Sequence, residues 1–401
     1  MTAAGAAPLH LAVALDGAGW HPAAWRAEDA RPADLTTARY WTELAREAER
    51  GLLDFLTIED SFGLQSTLDD GPDGRTDRVR GRLDAVLIAA AVAPRTSRIG
   101  LVPTVIATHT EPFHVSKAVA TLDYASLGRA GWRVQVSGRR SDSGHVGRRE
   151  FPRLDRARPD RLLLLDLFDE AADHVEVVRR LWDSWEDDAE IRDAVSGRFV
   201  DRDKLHYIDF AGRWFSVKGP SITPRPPQGQ PVVVALAHDT VPYRFAARAA
   251  DVVLVTPRDA GHARAILAEV RAEERRVVRV DPLHVFGELV VFLDDTAAAA
   301  GDRLARLDAL DGAPCTSDAV VFAGTADDLA DLLAGWHAAG LSGFRLRPGT
   351  IPHDLTAITG GLVPRLQARG LFRTAYDAST LRGSLGLARP ANRYVTAGAA
   401  T

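Results

Sequence analysis

The stretch from Glu111 to Gly138, EPFHVSKAVATLDYASLGRAGWRVQVSG, constrains the fold of this chain more than any other. An apolar, β-branched run ending Pro103-Thr104-Val105-Ile106 precedes it, which is the pattern of a buried strand. Phe113 to Ala125 then carries its apolar residues at the 3.6-residue spacing of a helix, and Gly128 stands where such a helix stops. Trp132 to Val136 returns as a second apolar run. Strand, crossover helix and returning strand make a βαβ unit, which implies a parallel sheet.

The same rhythm runs through most of the chain. Leu9 to Leu15, Leu53 to Ile58, Ile99 to Ile106, Trp132 to Val136, Val232 to Leu236, Val252 to Val255, His284 to Phe292 and Phe344 to Leu346 read as strands. Helical spacing fills Thr36 to Arg50, Asp84 to Ala93, Asp160 to Trp185, Val241 to Ala250, Ala260 to Arg275 and Thr325 to Ala339. Thr36 or Thr37 caps the first of these and Gly51 stops it, while Thr325 caps the last. The rhythm breaks between residues 186 and 230, a stretch rich in Asp, Arg, Gly and Pro that reads as an insertion. Roughly eight strands separated by helices is the order of a (β/α)8 TIM barrel. Periodicity alone leaves an open doubly wound sheet standing beside it, although no Gly-x-Gly-x-x-Gly turn follows the first strand, which argues against a dinucleotide-binding sheet.

Composition excludes several classes of function. With 401 residues, of which 46% are hydrophobic, the chain can bury a large core as a single α/β domain. A net charge of −5 and a pI near 6.2 give no electrostatic reason to expect nucleic acid or an anionic membrane as partner. Cys315 is the only cysteine, so no intrachain disulfide and no cysteine-based metal site can form, and a reducing cytoplasm is expected. Met1 to Pro8 has neither a basic region nor a long apolar core, so no signal peptide or membrane span is expected. The histidines are scattered with no ligand spacing, and no metal site is expected.

The Glu-Pro-aromatic-His opening at Glu111, the Ala-Thr-Leu-Asp run and Gly-Arg-Ala-Gly-Trp resemble the nitrilotriacetate/dibenzothiophene-sulfone monooxygenase branch of the bacterial-luciferase-like flavin enzymes. WTELAREAERGLLDFLTIEDS, EVVRRLWDSWEDDA, PPQGQPVVVALA, GTADDLADLLAGWHAAGLSGFRLRP and the terminal LVPRLQARGLFRTAYDASTLRGSLGLARPANRY extend the likeness over nearly the whole chain. The resemblance implies one luciferase-like barrel spanning 1–401, with 186–230 as insertion or lid and 371–401 as C-terminal extension. It further implies a two-component monooxygenase, in which reduced FMN from a separate flavin reductase and dioxygen oxidise a small organic substrate. A homodimer, or a heteromer with a related barrel, is the implied assembly.

By position, the resemblance assigns Asp60, Thr108, Ser137, Ala237 and His238 to the cofactor, and His10, His21, Trp25 and Arg133 to the substrate; it assigns no catalytic residue. The pattern is altered where the flavin would bind. Arg133 replaces an Asn, Val136 a Thr, and Ala107 one of two hydroxyl residues. Phe168 falls where the family has a phosphate-reaching Tyr, and Ala237-His238-Asp239 replaces a Gly-Ser-Ser-type turn. Asp239 would cap a helix near Val241 yet repel a phosphate, while His238, Arg133, Arg139 and Arg140 would compensate with positive charge. These changes favour an alternative: a luciferase-like homologue that has lost normal FMN binding, acting as a partner subunit or in flavin-independent chemistry. A deazaflavin-dependent oxidoreductase on the same superfold is a third reading.

Overall fold

The computed structural model describes residues 8–68, 70–147, 149–152, 160–277, 279 and 281–395. The first residues of the chain and the tip of the C-terminal extension, on which the sequence reading also touched, lie outside that set. One parallel sheet holds β1 (His10–Leu15), β2 (Phe55–Ile58), β3 (Gly100–Ile106), β4 (Gly131–Gln135), β5 (Val232–Leu236), β6 (Val252–Val255), β7 (His284–Leu293), β8 (Val320–Gly324) and β9 (Gly343–Pro348). Eight of them close into a barrel in the order β1 to β7, then β9, which hydrogen-bonds to both β7 and β1.

β8 is the strand that the sequence pattern did not announce. The first half of β7, His284 to Gly287, pairs with β6, but its second half, Leu289 to Leu293, pairs with β8. The wall is therefore continued by β8 rather than β6 at the C-terminal rim. The helices on the outside match the periodic stretches. α1 (Ala38–Arg50) is capped by the Thr37 side chain, α2 (Ala85–Val92) by Asp84, and α3 (Pro112–Ala125) links β3 to β4. A short α4 (Arg140–Val146) and the long α5 (Arg161–Asp183) follow. Beyond them come α6 (Thr240–Ala249), α7 (Ala260–Val277), α8 (Ala297–Asp311) and α9 (Ala326–Ala338). α9 opens on a capping box in which Thr325 and Asp328 satisfy each other's backbone N–H.

Alternation along the strands decides what fills the barrel. Ala12, Phe55, Val102, Val232, Val252 and Phe286 form one apolar cluster, with Leu381 and Leu385 of the C-terminal extension packed into it. Two residues further along three of these strands the pattern turns polar, Thr57 following Phe55, Thr104 following Val102 and Glu288 following Phe286, whereas Ala14, Val234 and Leu254 stay apolar. The lower barrel is oil and the upper barrel is ionic.

Residues 186–230, expected as an insertion or lid, follow α5. A 23-residue helix is about 35 Å long, so α5 returns the chain from the C-terminal rim to the other end of the barrel before the insertion begins. There the segment forms two small antiparallel pairs, Glu190–Asp193 with Arg198–Val200 and Phe210–Ala211 with Ser216–Val217. Arg225 fastens it, donating to Asp183 at 3.0 Å and to Asp187 at 2.8 Å. Among the described residues, no helix is long and apolar enough to cross a membrane.

Candidate functional site at the C-terminal rim

The ionic upper layer is a continuous chain of partners. Arg133 on β4 donates to Thr104 on β3 at 3.0 Å and pairs with Glu59, which follows β2. Glu59 also meets Arg345 of β9 at 3.2 Å, and Arg345 meets Glu288 of β7 at 2.5 Å. Glu288 pairs in turn with Arg347, which reaches Asp318 at 2.5 Å. His238 closes the series, 3.4 Å from Asp318 and 3.0 Å from the Thr256 hydroxyl. Three guanidiniums alternate with three carboxylates, and Arg133, Glu288, Arg345 and Arg347 are all buried.

Each charge depends on its neighbours. Burial pushes the Glu59 carboxyl up, but Arg133 and Arg345 outweigh it and hold the pKa below the usual range. Burial likewise opposes the charge on Arg347, and Glu288 and Asp318 more than compensate. Asp318 is held low for the same reason, burial being outweighed by Arg347. The layer is thus a set of fixed, balanced charges. Replacing such a set by apolar residues is often neutral or stabilising, so its presence is weak evidence for stability and points toward the site above it.

A cavity of about 610 Å³ lies on this floor. Leu164, Leu167 and Phe168 of α5 and Phe245 of α6 form an apolar wall, with Phe168 and Phe245 in ring contact at 5.6 Å. Trp20 stands over Arg347 at 4.6 Å, and its buried indole N–H has no hydrogen-bond partner among the described residues. Gly19 makes that placement possible. Its φ of +131° and the Gly349 carbonyl 2.5 Å from where a Cβ would sit exclude a side chain, and the adjoining N–H groups of Trp20 and His21 donate to Pro348 and Gly349. At the far end, Ser137 donates to Asp142 at 2.7 Å, leaving the second, buried oxygen of Asp142 without a partner. Arg139 also lines the cavity, and among the described residues its guanidinium has no ion-pair or hydrogen-bond partner.

Of the residues assigned from the sequence, Ser137, His238, Arg133 and Phe168 meet in this cavity. Thr108 stands just behind it, accepting from the Ser137 N–H at 3.0 Å. Asp60 is not among the lining residues: its two oxygens accept from the backbone N–H of Ser61 and Ala85, and burial raises its pKa. Ala237 is fully buried in the turn after β5, its N–H bonded to Leu254. Asp239 caps α6 as expected, accepting from the Thr240 N–H at 2.6 Å.

His10, assigned to substrate from the sequence, is not among the residues lining this cavity. It sits at the opposite, N-terminal end of β1, bonded to Asp54 at 2.9 Å and stacked on Phe286. His21 is buried beside the rim with both ring nitrogens engaged, one by Asp308 and one by the Ala23 N–H. Trp25 lines a neighbouring hollow and donates to the Asp77 carbonyl at 3.0 Å. Arg133 is committed to the floor through Glu59 and Thr104. Sequence reading missed Glu59, Glu288, Asp318, Arg345 and Arg347. The alternation Phe344-Arg345-Leu346-Arg347 was the available signal, because two arginines on one face of a buried strand need buried partners.

The Luciferase-like monooxygenase family model matches residues 18–343, and the chain belongs to that family. N-acetyl-S-(2-succino)cysteine monooxygenase of Bacillus subtilis (strain 168) is 30% identical, the match covering 96% of this chain and 98% of the relative. Nitrilotriacetate monooxygenase component A of Aminobacter aminovorans is 29% identical over 96% and 97%. Among solved structures, a riboflavin lyase with modified FMN and its substrate riboflavin superposes with a TM-score of 0.83 at 24% identity, over 96% of this chain and 98% of that one. The resemblance read from the sequence and the closed parallel barrel both stand.

Proposed function

We propose that this chain is the oxygenase of a two-component flavin-dependent monooxygenase. It takes reduced FMN from a separate flavin reductase and, with dioxygen, oxidises a small organic substrate. The observation that carries this reading is Arg139, a guanidinium without a partner among the described residues, at one end of an apolar-walled cavity on the C-terminal rim of the barrel, where enzymes of this fold keep their sites. FMN fits the residues present. Arg139 and His238 would hold the phosphate, the free oxygen of Asp142 would accept from a ribityl hydroxyl, and Phe168, Leu164, Leu167 and Phe245 would pack the ring system. Bound there, reduced flavin supplies the electrons that activate dioxygen.

The chain's own work is to orient and to exclude water. The balanced floor fixes Arg133, Arg345 and Arg347 without leaving any of them free to neutralise the phosphate, so anion binding falls to Arg139 and His238. Glu59, Gln65, Thr76 and residues 78–83 line the neighbouring hollow. Trp20, with its free N–H, stands between the two cavities.

This reading includes a cytoplasmic location and a homodimer, the latter to be checked by light scattering. Stopped-flow oxidation tests the activity. Reduced FMN mixed with the protein and then with dioxygen should reoxidise more slowly, and release less hydrogen peroxide, than free flavin; identical traces count against the reading. A second reading, a barrel that has given up flavin and acts as partner subunit or in flavin-independent chemistry, draws on Asp142 and Asp239, two carboxylates near the phosphate end.

A further inference from the structure

Beside the flavin cavity, sharing Glu59 with it, lies a hollow of about 420 Å³, within the range that holds small organic ligands. A smaller one of about 180 Å³ adjoins it and shares Trp25, Gln65 and Val79. The walls are Trp25, Trp41, Leu35, Leu83 and Val79. Both indole N–H groups are engaged by backbone carbonyls, Trp25 by Asp77 and Trp41 by Leu35, so the rings face the hollow as flat apolar surface.

The arginines around it are all neutralised. Arg78 pairs with Asp311 at 2.6 Å, Arg82 with Asp16 at 2.7 Å and Arg80 with Asp73. Glu59 is held by Arg133 and Arg345. A carboxylate entering this space would lose its water without gaining a free cation, which is costly. One polar atom is unspent. The Gln65 amide nitrogen donates to the Gly81 carbonyl at 3.1 Å, which fixes the orientation of the amide, and its buried oxygen has no donor among the described residues.

We infer that this hollow is the organic substrate's pocket and that it takes an uncharged, flat apolar molecule carrying one N–H or O–H donor for Gln65. This rests on the monooxygenase reading for the word substrate, but not for the binding. It also departs from the two relatives, whose names give carboxylate-rich compounds.

Calorimetric titration of the flavin-free full chain tests it, with 2-naphthol, naphthalene, naphthalene-2-carboxylate and nitrilotriacetate as probes. Saturable binding of 2-naphthol is expected, with the carboxylate at least about tenfold weaker and nitrilotriacetate silent. Gln65→Leu should weaken 2-naphthol about tenfold and leave naphthalene unchanged. Val79→Trp, which fills the hollow without touching an ion pair, should abolish both. Absence of 2-naphthol binding, nitrilotriacetate binding as tightly as 2-naphthol, or 2-naphthol binding unaffected by Val79→Trp would overturn the inference. Because no flavin is present, a failure here is separate from a failure of the stopped-flow experiment, and either reading can fall alone.

Discussion

Glu288→Ala is the perturbation that best probes the floor of the site. Glu288 is fully buried on β7, forms an ion pair with Arg345 at 2.5 Å and accepts a hydrogen bond from Arg347. Its removal leaves two buried guanidiniums short of a counter-charge, although Glu59 still faces one and Asp318 the other. Breaking a buried pair in this way costs about 3–5 kcal/mol, a large share of the roughly 5–15 kcal/mol that holds a domain folded. An unfolding entropy of about 2 cal/mol/K per residue, summed over a chain of this length, converts about 4 kcal/mol into a Tm loss of about 5 °C. Thermal unfolding followed by tryptophan fluorescence at a fixed scan rate reads it. Glu288→Leu combined with Arg347→Met removes the pair together, and should cost less than Glu288→Ala alone. A loss below about 1 °C for Glu288→Ala, or a double variant showing the sum of two large losses, would refute the view of the layer as coupled and balanced charge.

Three further outcomes follow from the site and the barrel floor. Arg139→Ala should weaken FMN about 10- to 100-fold, the worth of a charge-assisted contact, while leaving riboflavin, which lacks the phosphate, unchanged; equal loss for both would place the phosphate elsewhere. Asp239→Ser keeps a capping oxygen for α6 but removes a negative charge, so FMN binding should tighten by roughly fivefold, read by the same fluorescence titration. His284 at the base of the barrel is pushed down to about 4, by burial first and by His10 second. Its folded pKa lies below the unfolded value near 6.5, so its contribution to stability is complete above about pH 6.5 and is lost as pH falls through 6.5 toward 4. Urea unfolding across that window should show a slope that His284→Gln removes.

The strands were legible because they are short, β-branched and bounded by glycine, proline and amphipathic helices, but that pattern left an open sheet standing, and closure into a barrel came from the family resemblance. β3, α3 and β4 fall where Glu111 to Gly138 put them, and Thr37, Asp239 and Thr325 cap the helices they precede. β8 escaped because Val320 to Ala323 is only partly buried and carries no alternation. α8 escaped because its Ala-rich first turn gives little apolar contrast. Composition marks residues 186–230 as a loop, but which end of the barrel it serves depends on the parity of strands and helices before it.

The site was half legible for a comparable reason. Ser137, His238 and Phe168 could be found one at a time from their places in a family pattern. The ionic floor could not, since Glu59, Arg133, Glu288, Asp318 and Arg347 come from distant segments and each looks like a surface charge until the barrel closes. Arg139 was read as one of several candidates for compensating charge, and only the commitment of Arg133 to Glu59 and Thr104 singles it out.

If the rim cavity holds reduced FMN through Arg139, anaerobic calorimetric titration with chemically reduced FMN will read that binding. Saturable binding at micromolar concentration, near one flavin per chain and weakened in Arg139→Ala, is the predicted result. No binding of reduced FMN by the folded wild-type protein would contradict it.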